Sequence, residues 1–139
     1  MKKKLLLALT LVAMLILVFA ITANAESWDV SATENDHVIA TLTRYDYTYY
    51  TLDISGTGDM MDFDNPPWWE YYFDIQEATI GDGVTSIGAF CFSGCMKIDE
   101  IIIPDSVTRI GAGAFSSCSK LTSIVIGDSV TSIGSYAHL

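Results

Sequence analysis

Apolar and polar residues recur in the last third of the chain with a period of 23 residues. Three aspartates, Asp82, Asp105 and Asp128, mark the register of this repeat. A fixed period in this range predicts a solenoid, in which each copy forms one coil and stacks on the next. The apolar positions that recur are Ile80/Ile103/Ile126, Val84/Val107/Val130 and Ile87/Ile110/Ile133, followed by Gly88/Gly111/Gly134.

Each copy predicts the same order of short elements. Residues 121–126 carry apolar side chains at their first, fourth and sixth positions, a strand pattern whose apolar residues are expected to face into the coil. A turn around the aspartate follows, and then a second short apolar edge such as 107–110. The compact segment 112–117 is predicted to form one helical turn. Each coil is therefore expected to be mostly β.

The segment before the repeats, residues 26–74, is acidic and rich in aromatic residues. Val38–Leu42 and Tyr45–Ile54 are dense in β-branched and aromatic residues, which predicts two strands. Ser55–Gly58 is predicted to close the second strand as a turn, and the prolines of Asn65–Pro67 exclude a helix there. We interpret the segment as a β-rich N-terminal cap, because the first coil of a solenoid otherwise leaves an apolar end open to water.

The first 25 residues predict a secretory signal peptide. Three lysines precede the largely apolar run Leu5–Ala23, and Ala23-Asn24-Ala25 has the small residues of a cleavage site. The run is nearly long enough to span a bilayer, so an uncleaved membrane anchor is the alternative. The predicted organisation is a signal peptide at 1–25, the cap at 26–74, and about two and a half repeats at 75–139, the last copy being truncated.

The charge of the chain limits the kinds of partner that it is expected to bind. The formal net charge is −10, and loss of the three signal-peptide lysines leaves 4 basic against 17 acidic residues, or −13. Such an acidic chain is not expected to bind nucleic acid or, after signal cleavage, an anionic membrane surface. The signal peptide instead predicts a secreted, extracellular or cell-surface location.

The repeat closely resembles a known family. VTSIGAFCFSGC at 84–95 and IPDSVTRIGAGAFSSCSKLTSIVI at 103–126 resemble the BspA-type leucine-rich repeats of bacterial surface proteins. LDISGTGDM at 52–60 resembles the leader segment that often precedes them. The resemblance implies a leucine-rich-repeat superhelix of 23-residue coils, mostly β with short helical turns. It also implies a secreted or surface-attached binding protein linked to adhesion and host contact, and not an enzyme.

Three cysteines, Cys91, Cys95 and Cys118, are an odd number for a secreted chain. Cys95 and Cys118 occupy equivalent repeat positions, and adjacent strands lie about 4.8 Å apart, which is within disulfide range. Stacked equivalent side chains point in parallel and fit the disulfide torsion poorly, so buried free thiols are favoured and a bridge is the alternative. The spacing of Cys and His residues matches no metal site.

Catalytic and cofactor motifs are missing from the sequence. His37 and His138 lie near no nucleophile motif, and neither a cofactor nor a metal is expected. The acidic run Asp59–Asp64 is interpreted as a solvated turn, with a weak calcium site as the alternative. Aromatic residues at 68–72 are interpreted as packing, with a sugar-stacking platform as the alternative.

The predicted function is that of a non-enzymatic module for protein–protein contact or adhesion. Two alternatives are a structural spacer, or N-terminal fragment, of a larger surface protein and, more remotely, a glycan-active enzyme. The uncapped C-terminal coil is expected to favour self-association.

The predicted ligand-binding face consists of the outward residues of the first strand in each copy, because side chains between inward positions must face out. The expected ligand is a protein of the extracellular matrix or of a partner cell. The alternative is that β-branched residues are here because they suit strands. Stacking should align these residues in two rows, Glu77-Glu100-Ser123 and Thr79-Ile102-Val125.

Overall fold

The computed structural model describes residues 24–137, which form short strands and one 3-10 helix. The predicted signal peptide lies outside the described residues except for its last two positions, and His138 lies outside them as well. None of the helical structure within 24–137 has the length and apolar character needed to cross a membrane. The strands are β1 Ala25–Asp29, β2 His37–Arg44, β3 Tyr50–Asp59, β4 Ile75–Ile80, β5 Val84–Ile87, β6 Glu100–Ile103, β7 Arg109–Ile110, β8 Ser123–Ile126 and β9 Ser132–Ile133, with the 3-10 helix at Trp69–Tyr71 between β3 and β4.

The segment before the repeats is β-rich, as its aromatic and β-branched content predicts. Strands β1, β2 and β3 form an antiparallel meander. The turn lies earlier than expected, at 45–49, because the Asp46 carboxylate accepts hydrogen bonds from the backbone N–H groups of Thr48 and Tyr49. The turn predicted at Ser55–Gly58 is wrong, since these residues continue β3. Glycine is required at position 56 because β2 and β3 approach each other closely there: a Cβ would come within 1.9 Å of the His37 carbonyl oxygen.

The repeats stack as parallel coils at the predicted spacing, forming a β-solenoid of about four turns of roughly 23 residues. One edge of each coil continues the sheet of the cap in the order β3, β5, β7, β9. The register pairs each residue with its equivalent 23 positions later, such as Ser86 with Arg109. The predicted helical turn at 112–117 is wrong, because Gly113 and Ser117 have φ values of 62° and 60°, which interrupt any helix.

A single hydrophobic core runs from the cap into the third coil. Inside the coils, the rings of Phe92 and Phe115 stack with centroids 5.3 Å apart and planes 5° from parallel. Trp68 closes the core at the cap end: it is fully buried, and its Nε1–H donates to the Cys91 carbonyl at 3.0 Å. The aromatic residue Trp68 therefore packs as predicted and joins the cap to the first repeat.

The third coil is the open end of the described solenoid. Its inward-facing residues Ile126 and Ile133 remain 45% and 58% exposed, whereas their equivalents Ile103 and Ile110 are buried. Together with Tyr136 they line an apolar pocket of about 350 Å³. These side chains are exposed because no described residue stacks on this coil, as the repeat pattern predicts.

The three cysteines are buried and free of disulfides, as the parallel stacking predicts. Burial raises the pKa of the Cys91 thiol well above its usual value and that of Cys118 to about 11. The pKa of Cys95 is also raised by burial. The Cys118 thiol donates to the Phe92 carbonyl at 3.1 Å, so it is satisfied within the core. These thiols fill space and are not activated nucleophiles.

Replacement of Ile110 by Asp is expected to abolish cooperative unfolding. Ile110 is 3% exposed and lies between coils, so an unpaired carboxylate there costs several kcal/mol. Thr108→Asp is the matched control on the exposed side of the same segment and should change stability by less than about 0.5 kcal/mol. Thermal unfolding followed by circular dichroism measures both variants. Equal melting temperatures would show that the inward and outward assignment is wrong.

The native thiols are expected to resist labelling by a disulfide reagent at pH 8. All three pKa values lie above this pH in the folded state, and the side chains are buried. Unfolding in guanidinium should expose all three at once. Rapid modification of one thiol in the folded protein, or fewer than three reactive thiols after unfolding without a reductant, would contradict this arrangement.

Candidate functional site

The predicted binding residues lie on the outward face of β4, β6 and β8. Ile102 and Val125 stand out among them, since these β-branched side chains are 60% and 49% exposed. Ser123 is the one member that is half-buried. The outward orientation is therefore confirmed by the structure, and the members that are exposed are Glu77, Thr79, Glu100, Ile102 and Val125.

Pairing of β6 with β8 aligns both rows across the second and third coils. Glu100 lies opposite Ser123, and Ile102 lies opposite Val125. The Ser123 hydroxyl is 3.4 Å from Glu100 Oε1, a long hydrogen bond in which the hydroxyl donates. Ile102 and Val125 thus form a two-residue apolar strip in a fixed register.

The rows do not continue as one ladder into the first coil. Strand β4 pairs with β3, and β6 pairs with β8, but β4 and β6 do not pair. At the equivalent turn position, Gly81 N–H donates to the Ile54 carbonyl at 2.8 Å and Gly127 N–H donates to the Ile103 carbonyl at 2.9 Å. The residue between them in the repeat is Pro104, which has no N–H to donate to the first coil. A strand ladder therefore joins the two rows from the second coil to the third, but not from the first coil to the second.

A cleft of about 430 Å³ lies at the break between β4 and β6. It brings together four of the predicted residues, Glu77, Thr79, Glu100 and Ile102. Two of these are fixed by neighbouring side chains of the cap. The Tyr49 hydroxyl donates to Glu77 Oε1, which raises the pKa of Tyr49, and the Thr79 hydroxyl donates to Asp53. Asp82 and Asp99 add two more carboxylates to the lining of the cleft.

The apolar strip also borders a second, more open cleft of about 630 Å³. Its lining includes the three aspartates that mark the repeat, all exposed at the turns after the strands. No Lys or Arg lines either cleft. Lys97 and Arg109 instead form ion pairs elsewhere, with Asp74 at 3.1 Å and Asp62 at 3.3 Å. The outward strand face is therefore apolar at its centre and negative around it.

The acidic run in the cap has a structural role. The Asp59 carboxylate accepts from the Thr85 hydroxyl at 2.6 Å, and the Asp62 carboxylate accepts from the Ala89 N–H at 2.7 Å. Both bonds fasten the cap to the first repeat. Among residues 24–137, no group of three or more His, Cys, Asp or Glu side chains is placed to hold a metal ion.

His37, the histidine within the described residues, lies at the exposed start of β2. Its neighbour Asp36 accepts hydrogen bonds from the Asp59 N–H and from Thr33, and these bonds lower the pKa of the Asp36 carboxyl. The carboxylate thus ties a loop of the cap to the end of β3. The Asp36 carboxylate is therefore engaged in hydrogen bonds that hold the cap together.

These features define the class of protein as a leucine-rich-repeat solenoid with an exposed face of parallel strands. Residues 69–139 match the family model described as the BspA type leucine rich repeat region, which spans six copies. The chain belongs to this BspA-type leucine-rich-repeat family. Its members typically are bacterial surface or secreted proteins whose repeats bind proteins, and the fold is typically non-enzymatic.

Among solved structures, the chain is similar to a leucine-rich repeat protein from Eubacterium ventriosum. The two are 33% identical with a TM-score of 0.64, over 78% of this chain and 28% of that protein. The chain thus corresponds to little more than a quarter of the length of this relative. No curated protein is similar enough to this chain to count as a relative.

Proposed function

We propose that this chain is a secreted or cell-surface, non-enzymatic binding module that contacts a protein of the extracellular matrix or of a partner cell. The contact surface is the outward face of β6 and β8 together with the cleft between β4 and β6. The observation that carries this proposal is the exposed pair Ile102 and Val125, held in register and surrounded by carboxylates. An apolar centre with a polar rim is the usual composition of a protein-binding patch.

The electrostatics indicate the kind of protein that fits. Six carboxylates line the two clefts around the apolar strip, and no basic side chain lines either cleft. A partner with a basic rim around an apolar patch would be drawn to this face and oriented by it. The six are Glu77, Asp82, Asp99, Glu100, Asp105 and Asp128.

The break between β4 and β6 adds hydrogen-bonding capacity. Each strand leaves backbone groups on the side facing the cleft without a strand partner. Such groups, next to Glu77 and Glu100, suit an arginine or lysine side chain or an amide of the partner. Glu77 and Glu100 both line this cleft, so a cation from the partner would be attracted to their carboxylates.

A second candidate function is that of a spacer in a larger surface protein. The observation that favours it is the apolar face of the third coil, which a further repeat would cover. The two functions are compatible, since a spacer can carry a binding face. They differ in whether the strip at Ile102 and Val125 matters for ligand binding.

The double substitution Ile102→Lys/Val125→Lys is expected to weaken ligand binding by at least about tenfold, because it places two charges at the centre of the contact. Binding to immobilised matrix proteins, measured by surface plasmon resonance, tests this. Binding by the unsubstituted chain should also weaken as salt is raised, since the rim is charged.

The matched control is Thr108→Lys/Thr131→Lys, which adds the same two charges to a different exposed row of the second and third coils. It should fold and bind as the unsubstituted chain does. If both double variants bind equally well, the binding site lies elsewhere. If both lose binding equally, the effect is one of net charge and not of this face.

A polypeptide of this sequence is expected to self-associate at micromolar concentration through the open third coil. Ile126, Ile133 and Tyr136 present apolar surface there, beside the free edges of β8 and β9. The substitution Ile126→Lys/Ile133→Lys should restore a monomer in analytical ultracentrifugation. A monomer without the substitution, or unchanged association with it, would contradict this role of the open coil.

A further inference from the structure

A second concave surface lies away from the outward strand face, where the cap meets the first repeat. It is a pocket of about 310 Å³, called here the aromatic pocket. Trp69, Phe73 and Phe90 line it and are 47%, 53% and 41% exposed. Tyr72 and Met96 complete its apolar wall, and Asp64 and Asn65 stand at its edge.

The two adjacent tryptophans are separated by the fold. Trp68 points into the core and is fully buried, whereas Trp69, in the 3-10 helix, faces the aromatic pocket. The Phe63 and Trp28 rings pack on Trp68, at centroid distances of 5.5 Å and 6.0 Å. Trp68 therefore fills the core at this junction by itself. Core packing does not explain why a second large aromatic ring is present at position 69.

The backbone of Phe90 adopts a conformation that is unfavourable for a residue with a large side chain. Its φ is 56°, in the left-handed region that glycine adopts without strain. The equivalent residue of the next repeat is Gly113, with a φ of 62°, and the third copy again has a ring, Tyr136. The Phe90 ring lies across Gly113, where a Cβ would come within 2.5 Å of its Cε1. A bulky residue held in this conformation and left 41% exposed is an outlier of the kind found at ligand sites.

The polar groups of the aromatic pocket are hydrogen-bonding rather than cationic. Asp64 and Asn65 supply a carboxylate and an amide, and Ser93 and Ser117 supply hydroxyls. Asp64 is the one charged side chain in the lining, and the whole chain is strongly acidic. An anionic ligand is therefore disfavoured, and a neutral ligand rich in hydroxyl groups fits.

The pocket offers no means of holding an extended peptide. None of its lining residues belongs to a strand, so no strand edge is available for backbone pairing. Its volume lies at the lower end of the range for small-ligand sites, about 300–1,000 Å³. Aromatic faces with a few convergent polar groups are the usual lining of such sites.

We propose that the aromatic pocket binds a pyranose ring of a neutral glycan. The C–H face of the sugar stacks on the exposed rings of Trp69 and Phe90, and its hydroxyls hydrogen-bond to the carboxylate of Asp64 and the amide of Asn65. This site is separate from the protein-binding face at Ile102 and Val125. It gives the chain a second ligand class, and it does not depend on the function proposed above.

The experiment is a binding screen of the chain on immobilised neutral oligosaccharides of hexose and N-acetylhexosamine units, with sialylated and sulfated oligosaccharides beside them. Titration calorimetry with the best neutral probe then compares variants. Trp69→Ala and Phe90→Gly should each lower affinity at least about tenfold. Phe90→Gly gives the first repeat the glycine that the second repeat has at the equivalent position, Gly113. This variant should therefore fold and keep its melting temperature within a few degrees.

The double variant Ile102→Lys/Val125→Lys is the matched control and should bind the neutral glycan unchanged. The proposal is overturned if no neutral glycan binds at millimolar concentration, or if Trp69→Ala and Phe90→Gly both bind as the unsubstituted chain does. Preference for sialylated or sulfated glycans would also overturn it. So would a glycan affinity that is lost with the outward-face variant, since the strand face would then be the site.

Discussion

Stacking of one coil on the next is the interaction on which this structure depends. A 23-residue coil has an inward row of apolar side chains but too few neighbours of its own to bury them. Phe92 becomes part of a core because Phe115 stacks on it at 5.3 Å, and β5, β7 and β9 carry the backbone ladder between the same coils. Where no described coil follows, Ile133 is exposed although it occupies the same position as the buried Ile110.

At the other end of the solenoid, the cap covers the apolar side of the first coil. Its antiparallel strands add to the solenoid edge through β3, so the ladder of the repeats continues a sheet that is already formed. Trp68 fills the space at the cap end of the first coil, and its indole N–H donates to the Cys91 carbonyl. Because one tryptophan is sufficient for this seal, Trp69 and the residues around it remain available at the surface.

Both candidate sites arise where the regular stacking is interrupted. Pro104 has no N–H, so β4 and β6 do not join, and a cleft lined by Glu77 and Glu100 opens in a face that would otherwise be flat. At the junction of cap and repeat, a ring stands at position 90 where the next copy has glycine, and a pocket forms beside it. A uniform solenoid offers equivalent surfaces on every coil, and these two departures distinguish one part of the surface from another.

The sequence by itself determined the period and the inward or outward direction of the strand side chains, and it favoured free thiols over a disulfide. These follow from local rules: a spacing of 23 residues places equivalent residues on neighbouring coils, and alternation within a strand separates Ile101, inside, from Ile102, outside. The tertiary structure decided which strands pair, that Ser55–Gly58 continues β3, that 112–117 is not helical, and where the clefts lie. Those features depend on donors and acceptors in another coil or in the cap. Pro104 is visible in the sequence, but the bond that it fails to make is defined only once Ile80 lies beside it.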